Sequence, residues 1–208
     1  MDQLFDEIKR AVQDGDDEAV KHLVNEGLLK KLAPRVILEN AMMPAMQEVG
    51  EKFSRNEAFI SELLVAAEAM NAGVSMLEMH SERAIRDRGK VILGTVEGDI
   101  HTIGKNLVRI CLEGAGYEVK DLGENIKAQK FVDAYIEQKP EVLGLSALLS
   151  STALCMEDVI KEVRKVIPSA RIIVGGAPIT QAFAEKIGAS GYASNAFEAV
   201  QLVERLLK

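Results

Sequence analysis

Hydrophobic residues recur at helical spacing through the first part of the chain, up to about residue 88. The turn-forming segment "DGDDE" separates the first two predicted helices. A third helix begins at Pro34, and a fourth covers about residues 61–84. Pro44 lies inside the third helix and is expected to kink it, because proline removes a backbone hydrogen bond. Four helices with short connections predict a small bundle.

The pattern changes after the charged segment "SERAIRDRGK", where short apolar runs alternate with amphipathic stretches. The predicted strands are Val91–Thr95, Glu118–Asp121, Val142–Ser146, Arg171–Gly175 and Gly191–Ala193. The predicted helices cover about residues 103–115, 127–138, 152–167, 179–187 and 195–207. This alternation predicts a doubly wound α/β domain with a five-stranded parallel sheet and ligands at the carboxyl ends of its strands. We therefore divide the chain into 1–88 and 89–208.

Composition and charge exclude several classes of protein. The 208 residues carry a net charge of −7, so no basic surface is available for nucleic acid. The acidic excess lies in residues 1–88, which hold 11 basic and 17 acidic residues, a net charge of −6. The N-terminus lacks an apolar run of secretory length, and we expect no segment long enough to span a membrane. Cys111 and Cys155 are expected to be buried free thiols, so the predicted location is the cytoplasm.

The segment "EGDIHTIGKN" follows the first predicted strand and contains the most distinctive chemistry. It lacks the G-x-G-x-x-G spacing of a dinucleotide site, and a phospho-receiver domain would need an aspartate where Ser146 stands. His101 is a candidate metal ligand, and Asp99 could fix its tautomer by accepting its other N–H. A single histidine does not hold a bare ion, but it suffices where a macrocycle supplies the other ligands. The alternative is a loop histidine bonded only to Asp99. Gly104 would leave room for a large ligand.

Two further loops carry candidate residues. Ser146, Ser150 and Thr152 place three hydroxyls at and beyond the end of the third strand, and a helix N-cap would explain only one of them. Gly175 and Gly176 follow the fourth strand. They either turn the chain or make room for a ligand beside the sheet.

Together, these loops resemble the flavodoxin-like cobalamin-binding domain of corrinoid proteins and cobalamin-dependent methionine synthase. The family motifs D-x-H-x-x-G, S-x-L and G-G are matched by "DIHTIG" at 99–104, "SAL" at 146–148 and "GG" at 175–176. The segment "MMPAMQEVGEKFSRNEAFISELLVAAEAM" is similar to the helical cap that precedes this domain. The chain thus resembles a stand-alone corrinoid protein of a methylamine, methanol or betaine methyltransferase system.

The resemblance implies a role for each matched residue. His101 would replace the cobamide's own lower base and ligate cobalt, with Asp99 bonded to its far nitrogen. Thr152 would extend this relay, so Asp99, His101 and Thr152 are the implied catalytic positions. Ser146 and Ser150 would line the slot for the displaced nucleotide tail, which would pass beside the two glycines.

The bundle would also contribute to the cofactor site, with Phe59 and the Leu63–Met70 face shielding the upper face of the corrin. Thr102 is a departure, because many relatives have a second aspartate there. The full set of implied cofactor-binding residues is Asp99, His101, Thr102, Ile103, Gly104, Ser146, Leu148, Ser150, Thr152, Gly175, Gly176, Phe59 and Met70.

The function implied by the resemblance is that of a methyl carrier, which is not catalytic alone. Cobalt as Co(I) would take a methyl group from the substrate of one partner methyltransferase. The methyl-Co(III) form would pass it to a second methyltransferase that acts on a folate or a thiol, and a reductive-activation protein is a possible third partner. The alternatives are a cobalamin-binding sensor module and a plain small-molecule-binding or structural α/β domain.

Overall fold

The computed structural model describes residues 2–80 and 88–208 and contains two compact units. The first unit contains the described residues up to His80 together with Glu113–Gly116. The second contains Arg88–Leu112 and Tyr117–Lys208. Each unit has its own apolar core, as is typical of separate domains.

The first unit is helical throughout its described residues. Its helices are α1 (Asp2–Asp14), α2 (Asp17–Leu29), α3 (Pro34–Ile37), α4 (Met43–Ser54) and α5 (Ile60–Met79). The α5 helix packs against α1, α2 and α4. Close approach depends on Gly73, because a Cβ there would lie 2.4 Å from Met42 Cε and 2.7 Å from Val20 Cγ1. The predicted bundle is therefore formed by apolar faces that meet around α5.

The kink predicted at Pro44 takes the form of a π-helical turn over Leu38–Met42. The Met43 N–H donates to Leu38 C=O, five residues back, instead of four. Proline has no N–H for Asn40 C=O, and its ring would clash with that carbonyl in a regular α-helix. The wider turn accommodates both effects, and it divides the predicted third helix into α3 and α4.

The α5 helix corrects the expectation that no segment is long enough to cross a membrane. It has 20 residues and a mean hydropathy of 1.3 in its most apolar window. Eight of its residues are buried in the structure, among them Leu63, Met70 and Leu77. The core helix of a bundle has this same composition, so the apolar length of α5 is explained by packing.

The second unit contains a five-stranded parallel sheet, which confirms the predicted fold class. Its strands are β1 (Lys90–Thr95), β2 (Glu118–Asp121), β3 (Val142–Ser146), β4 (Ile172–Gly175) and β5 (Gly191–Ala193). Their order is β2-β1-β3-β4-β5, and every pair is parallel. The register places Thr95, Ser146, Gly175 and Ala193 in one row across the carboxyl edge. Loops that were predicted to carry the chemistry thus leave the same edge.

Helices of the second unit are α6 (Ile103–Gly114), α7 (Ala128–Gln138), α8 (Ser150–Ala153), α9 (Cys155–Val166), α10 (Gln181–Lys186) and α11 (Ala196–Leu207). The helix predicted from residue 152 is two helices, and the first begins at Ser150. Cys155, at the start of α9, is only partly buried, whereas Cys111 is buried as expected. The predicted fourth helix of the bundle ends at Met79, and residues 81–84 of that prediction lie outside the described residues.

Candidate functional site

The candidate site lies where the chain reverses its direction across the sheet. From β1 the chain moves outward to β2 and then returns past β1 to β3, so β1 and β3 are neighbours with crossovers on opposite faces. Such a switch point leaves a crevice at the carboxyl ends of the two strands, where doubly wound proteins bind ligands. The β1 loop carries Asp99 and His101, and the β3 loop leads to Thr152. Topology alone therefore brings two of the predicted loops together.

Asp99 is completely buried and joins the two loops through its carboxylate. Its Oδ1 accepts hydrogen bonds from the His101 N–H at 3.0 Å and from His101 Nδ1 at 2.8 Å. Its Oδ2 accepts from the N–H groups of Leu148 at 2.8 Å and Leu149 at 3.3 Å, and from Thr152 Oγ1 at 2.6 Å. Each oxygen thus serves one loop: Oδ1 the β1 loop and Oδ2 the β3 loop.

These donors keep Asp99 ionised. Burial by itself raises the pKa of the carboxyl group, because it disfavours the charged form. The hydrogen bonds from Thr152, from the His101 backbone and side chain, and from the Leu148 N–H act in the other direction and outweigh it. The net result is a pKa well below the ordinary range of an aspartate, so the buried group is an anion over the whole physiological range of pH.

His101 has one ring nitrogen committed and one available. Because Asp99 is an anion, Nδ1 must carry a proton to make the 2.8 Å contact with Oδ1. In the neutral ring this leaves Nε2 with a free lone pair. The side chain is 46% exposed, and no hydrogen bond to Nε2 comes from the described part of the chain. The imidazole is therefore oriented as a ligating histidine with a carboxylate behind it.

Thr152 is buried in the third position of α8, so it is not the N-cap of the predicted helix. Its hydroxyl has a single proton and lies 2.6 Å from Asp99 Oδ2 and 3.0 Å from Leu149 C=O. The shorter contact to the anion is the stronger of the two. Thr152 therefore donates to Asp99, as the resemblance implies.

Large apolar side chains are exposed on both sides of His101. Ile100 is 66% exposed and Ile103 is 79% exposed on the β1 loop and the start of α6. Leu148 and Leu149, whose N–H groups donate to Asp99, are also exposed. A monomeric protein seldom presents so much apolar surface around a polar side chain unless a partner covers it. Exposed apolar side chains around one imidazole fit a macrocycle better than a small polar ligand.

The predicted glycines differ in what surrounds them. A Cβ on Gly104 would meet nothing within 4 Å, so its approach surface is open. Gly176 has a φ of +131°, and a Cβ there would lie 1.8 Å from Ala147 C=O. Glycine is required at 176 by the chain itself, because the loops after β3 and β4 touch at this point. At Gly175 the contact is looser, at 3.2 Å from Ala193 C=O.

The remaining predicted residues are more widely distributed. Ser146 ends β3 and is partly buried, while Ser150 is exposed at the start of α8. Thr102 precedes α6, and its C=O accepts the Asn106 N–H at 2.8 Å. Phe59 is 79% exposed before α5, but Met70 is fully buried within that helix. Contact of Phe59 or Met70 with a cofactor stays a prediction, and the buried Met70 presents no accessible surface for it.

Sequence reasoning missed two features beside the site. Lys105, on α6, is almost fully buried and forms an ion pair with Asp121 at the end of β2. Asn125, in the loop after β2, accepts the Gly98 N–H and donates to Asp99 C=O. The residues Gly-x-Asn after a strand are a turn signal, and that signal predicts a left-handed residue but not its partners.

The donor set fits a cobamide. No group of three or more His, Cys, Asp or Glu side chains in the described ranges is arranged to hold a metal ion. One available imidazole nitrogen would supply a single ligand, which is enough for a metal ion whose other ligands come from a macrocycle. The exposed apolar rim and the open surface at Gly104 provide space for the ring.

Comparisons with known proteins agree with this chemistry. A family model described as a B12 binding domain matches residues 89–201, and a second model of the same description matches residues 4–78. The trimethylamine corrinoid protein of Methanosarcina barkeri is 39% identical over 99% of this chain and 97% of its own length.

Two solved structures are similar over nearly the whole chain. A cobalamin-binding protein from Desulfitobacterium hafniense has a TM-score of 0.82 and 30% identity, covering 97% of this chain and 98% of that one. The methanol:cobalamin methyltransferase complex of Methanosarcina barkeri has a TM-score of 0.85 and 26% identity, covering 99% of this chain and 80% of that one. The similarity includes both units.

Proposed function

Because this chain belongs to the B12-binding domain family, we propose that it carries a methyl group, on a bound cobamide, from one methyltransferase to another. The observation that carries the proposal is the arrangement of His101. Its Nδ1 is bonded to a buried carboxylate, and its Nε2 is left for a ligand within an exposed apolar surface. The full-length relatives belong to methyl-transfer systems, which supports the same role.

The proposed partners follow from those relatives. We propose that a substrate:corrinoid methyltransferase supplies the methyl group from a small methylated compound, such as a methylamine or methanol. A second methyltransferase would remove it to a folate or a thiol, and a reductive-activation protein would restore the cofactor after oxidation. A cytoplasmic location is part of this proposal, since free thiols such as buried Cys111 persist in reducing compartments.

The residues of the site have separate tasks. The bound cobamide would supply the cobalt on which the methyl group is carried, and the protein would set its ligation and access. His101 would hold the cobamide through Nε2. Asp99 would hold the proton on Nδ1, which fixes the tautomer and the orientation of the ring. Thr152 and the Leu148 N–H keep that carboxylate ionised and in place.

The test is an absorption spectrum of the protein reconstituted with a cobamide, compared with that of His101→Ala. We expect a histidine-ligated spectrum in the natural chain and its loss in the variant. His80→Ala is the matched control, because His80 is an exposed histidine bonded through Nδ1 to Met76 C=O in the bundle. An unchanged spectrum in His101→Ala would remove His101 as the ligand, and no uptake by the natural chain would refute the carrier function.

Transfer activity separates a carrier from a sensor. With a methylamine or methanol methyltransferase and its substrate, we expect methylation of the cofactor bound to this protein. An acceptor methyltransferase should then remove the methyl group. If the cobamide binds through His101 but no methyltransferase changes its state, the chain is a sensor module and the carrier proposal is wrong.

A further inference from the structure

Asn125 holds the backbone on both sides of the buried carboxylate. It lies in the loop between β2 and α7 with a φ of +53°, which is uncommon for residues other than glycine. Its Oδ1 accepts the Gly98 N–H at 2.8 Å, and its own N–H donates to Asp99 C=O at 2.9 Å. One residue therefore binds the Glu97–Gly98 and the Asp99–Ile100 peptide groups, which lie on either side of the Gly98–Asp99 peptide.

Neighbouring bonds bring the two loops side by side. The Thr95 N–H donates to Gly123 C=O at 3.0 Å, and the Ile126 N–H donates to Thr95 C=O at 3.0 Å. Val96 and Ile126 form a parallel bridge beyond the end of β1. The Thr95 hydroxyl then donates to His101 C=O at 3.2 Å. The β2 loop thus supports the β1 loop from Thr95 to Asp99.

The side chain of Asn125 is more than a turn former. A left-handed residue at an exposed turn is satisfied by glycine, which adopts this conformation at no steric cost. Asparagine adds an acceptor, and that acceptor is used on Gly98, the residue before Asp99. Gly98, with a φ of +81°, lies in a turn closed by the Asp99 N–H on Val96 C=O at 3.1 Å, and Asn125 adds a second restraint on this turn from outside it.

We propose that Asn125 is a positioning residue for the Asp99–His101 pair. By fixing the Gly98–Asp99 backbone it keeps Oδ1 within reach of His101 Nδ1, and thereby maintains the tautomer with Nε2 unprotonated. The effect of Asn125 on cobamide ligation rests on the proposed function. Its effect on the His101 tautomer does not involve the cofactor and can be measured in the cofactor-free protein.

The first experiment uses the cofactor-free protein. Asn125→Gly keeps the left-handed backbone and deletes the acceptor, whereas Asn125→Asp keeps an acceptor oxygen. We expect amide hydrogen exchange at Gly98 to be about fivefold faster in Asn125→Gly, the change that corresponds to one lost hydrogen bond, and close to the natural rate in Asn125→Asp. Lys139→Gly is the matched control, since Lys139 has a φ of +47° at the end of α7.

Nitrogen NMR of the His101 ring then distinguishes positioning from general support. We expect the tautomer protonated at Nδ1 to dominate in the natural chain and in Asn125→Asp, and its population to fall in Asn125→Gly at the same pH. Faster exchange with an unchanged tautomer would show that Asn125 only stabilises the loop, and would overturn the proposal. Unchanged exchange would overturn it as well.

The loaded protein gives a third measurement. Asn125→Gly should lower the fraction of bound cobamide that shows histidine ligation, while Asn125→Asp restores it. If the natural chain fails to take up a cobamide, the proposed function is refuted, and the exchange and tautomer measurements still decide the role of Asn125.

Discussion

The two units of this protein bury different kinds of side chain. Within the described residues, the core of the helical unit is made of apolar side chains and glycines. Among the residues that the structure describes, the buried polar side chains are Thr95, Asp99, Lys105 and Thr152, and all four lie in the α/β unit near the carboxyl edge of the sheet. Burying such groups is costly unless each finds a partner, so a protein retains them where they are needed.

The difference shows what each region demands of its sequence. The helical unit requires side chains of suitable volume at helical spacing. For example, Gly73 leaves the space that the Met42 side chain fills. At the edge of the sheet, donors and acceptors must be matched one by one. We therefore expect changes of similar size to have unequal effects in the two regions.

The largest effect is expected from Asp99→Ala. It leaves the N–H groups of Leu148 and His101 and the hydroxyl of Thr152 without their acceptor, and should lower the free energy of unfolding by about 3 kcal/mol. Denaturant unfolding followed by circular dichroism measures this. Asp133→Ala is the control, because Asp133 is exposed on α7 and accepts a hydrogen bond from Gln129 one turn away. Equal effects at the two positions would contradict the assigned role of the buried carboxylate.

A pair of shape-conserving changes compares the regions directly. Thr152→Val removes only the hydroxyl bonded to Asp99 and should cost about 2 kcal/mol, whereas Thr152→Ser keeps it and should cost less. Leu63→Met, at a fully buried position of α5, should cost less than about 1.5 kcal/mol. If Leu63→Met proves more damaging than Thr152→Val in the same unfolding assay, the contrast between the two cores is wrong.

The smallest expected effect is on how the free energy of unfolding changes at acidic pH. The pKa of Asp99 is lower in the folded protein than in the unfolded chain, so its stabilising effect is complete above the unfolded pKa of about 4 and decreases as the pH falls below it. Asp99→Asn should remove this contribution and flatten the loss of stability between about pH 5 and pH 2. The difference in slope should be at most about 1.4 kcal/mol per pH unit. If the free energy of unfolding depends on pH in the same way in the natural chain and in Asp99→Asn, folding does not lower the pKa of Asp99.

Hydrophobic periodicity was sufficient to predict the elements of both units. The sheet strands were located to within a residue at their ends, and for β1 and β3 the reason is that buried parallel strands are short apolar runs between polar loops. The helix near Ser150 was placed too late, since its first two residues, Ser150 and Ser151, are exposed and polar and carry no periodic signal. At Pro44 the kink was predicted but its π-helical form was not, because several distortions accommodate a proline equally well.

The sequence predicted only those site residues whose side chains are chemically distinctive. Asp99 and His101 were singled out by their types and spacing, the link of Thr152 to Asp99 was implied by the family resemblance, and the structure brings all three into one hydrogen-bonded group. The Leu148 N–H is a backbone donor, so no side chain could reveal it. Asn125 acts on residues 26 and 27 positions earlier, and that contact depends on the pairing of β1 with β2.

The division of Asp99 between its two oxygens also has a consequence for the order in which the protein folds. Oδ1 finds its partners two residues away, but the partners of Oδ2 are 49 to 53 residues further along the chain. Contacts at such separation form late, because a long segment must be closed first. During synthesis, a chain that does not yet include residue 152 can therefore form the contacts of Asp99 Oδ1 with His101 but lacks the hydrogen bond from Thr152 to Oδ2. Assembly of the cobamide-binding edge is tied to completion of the third strand and the helix that follows it.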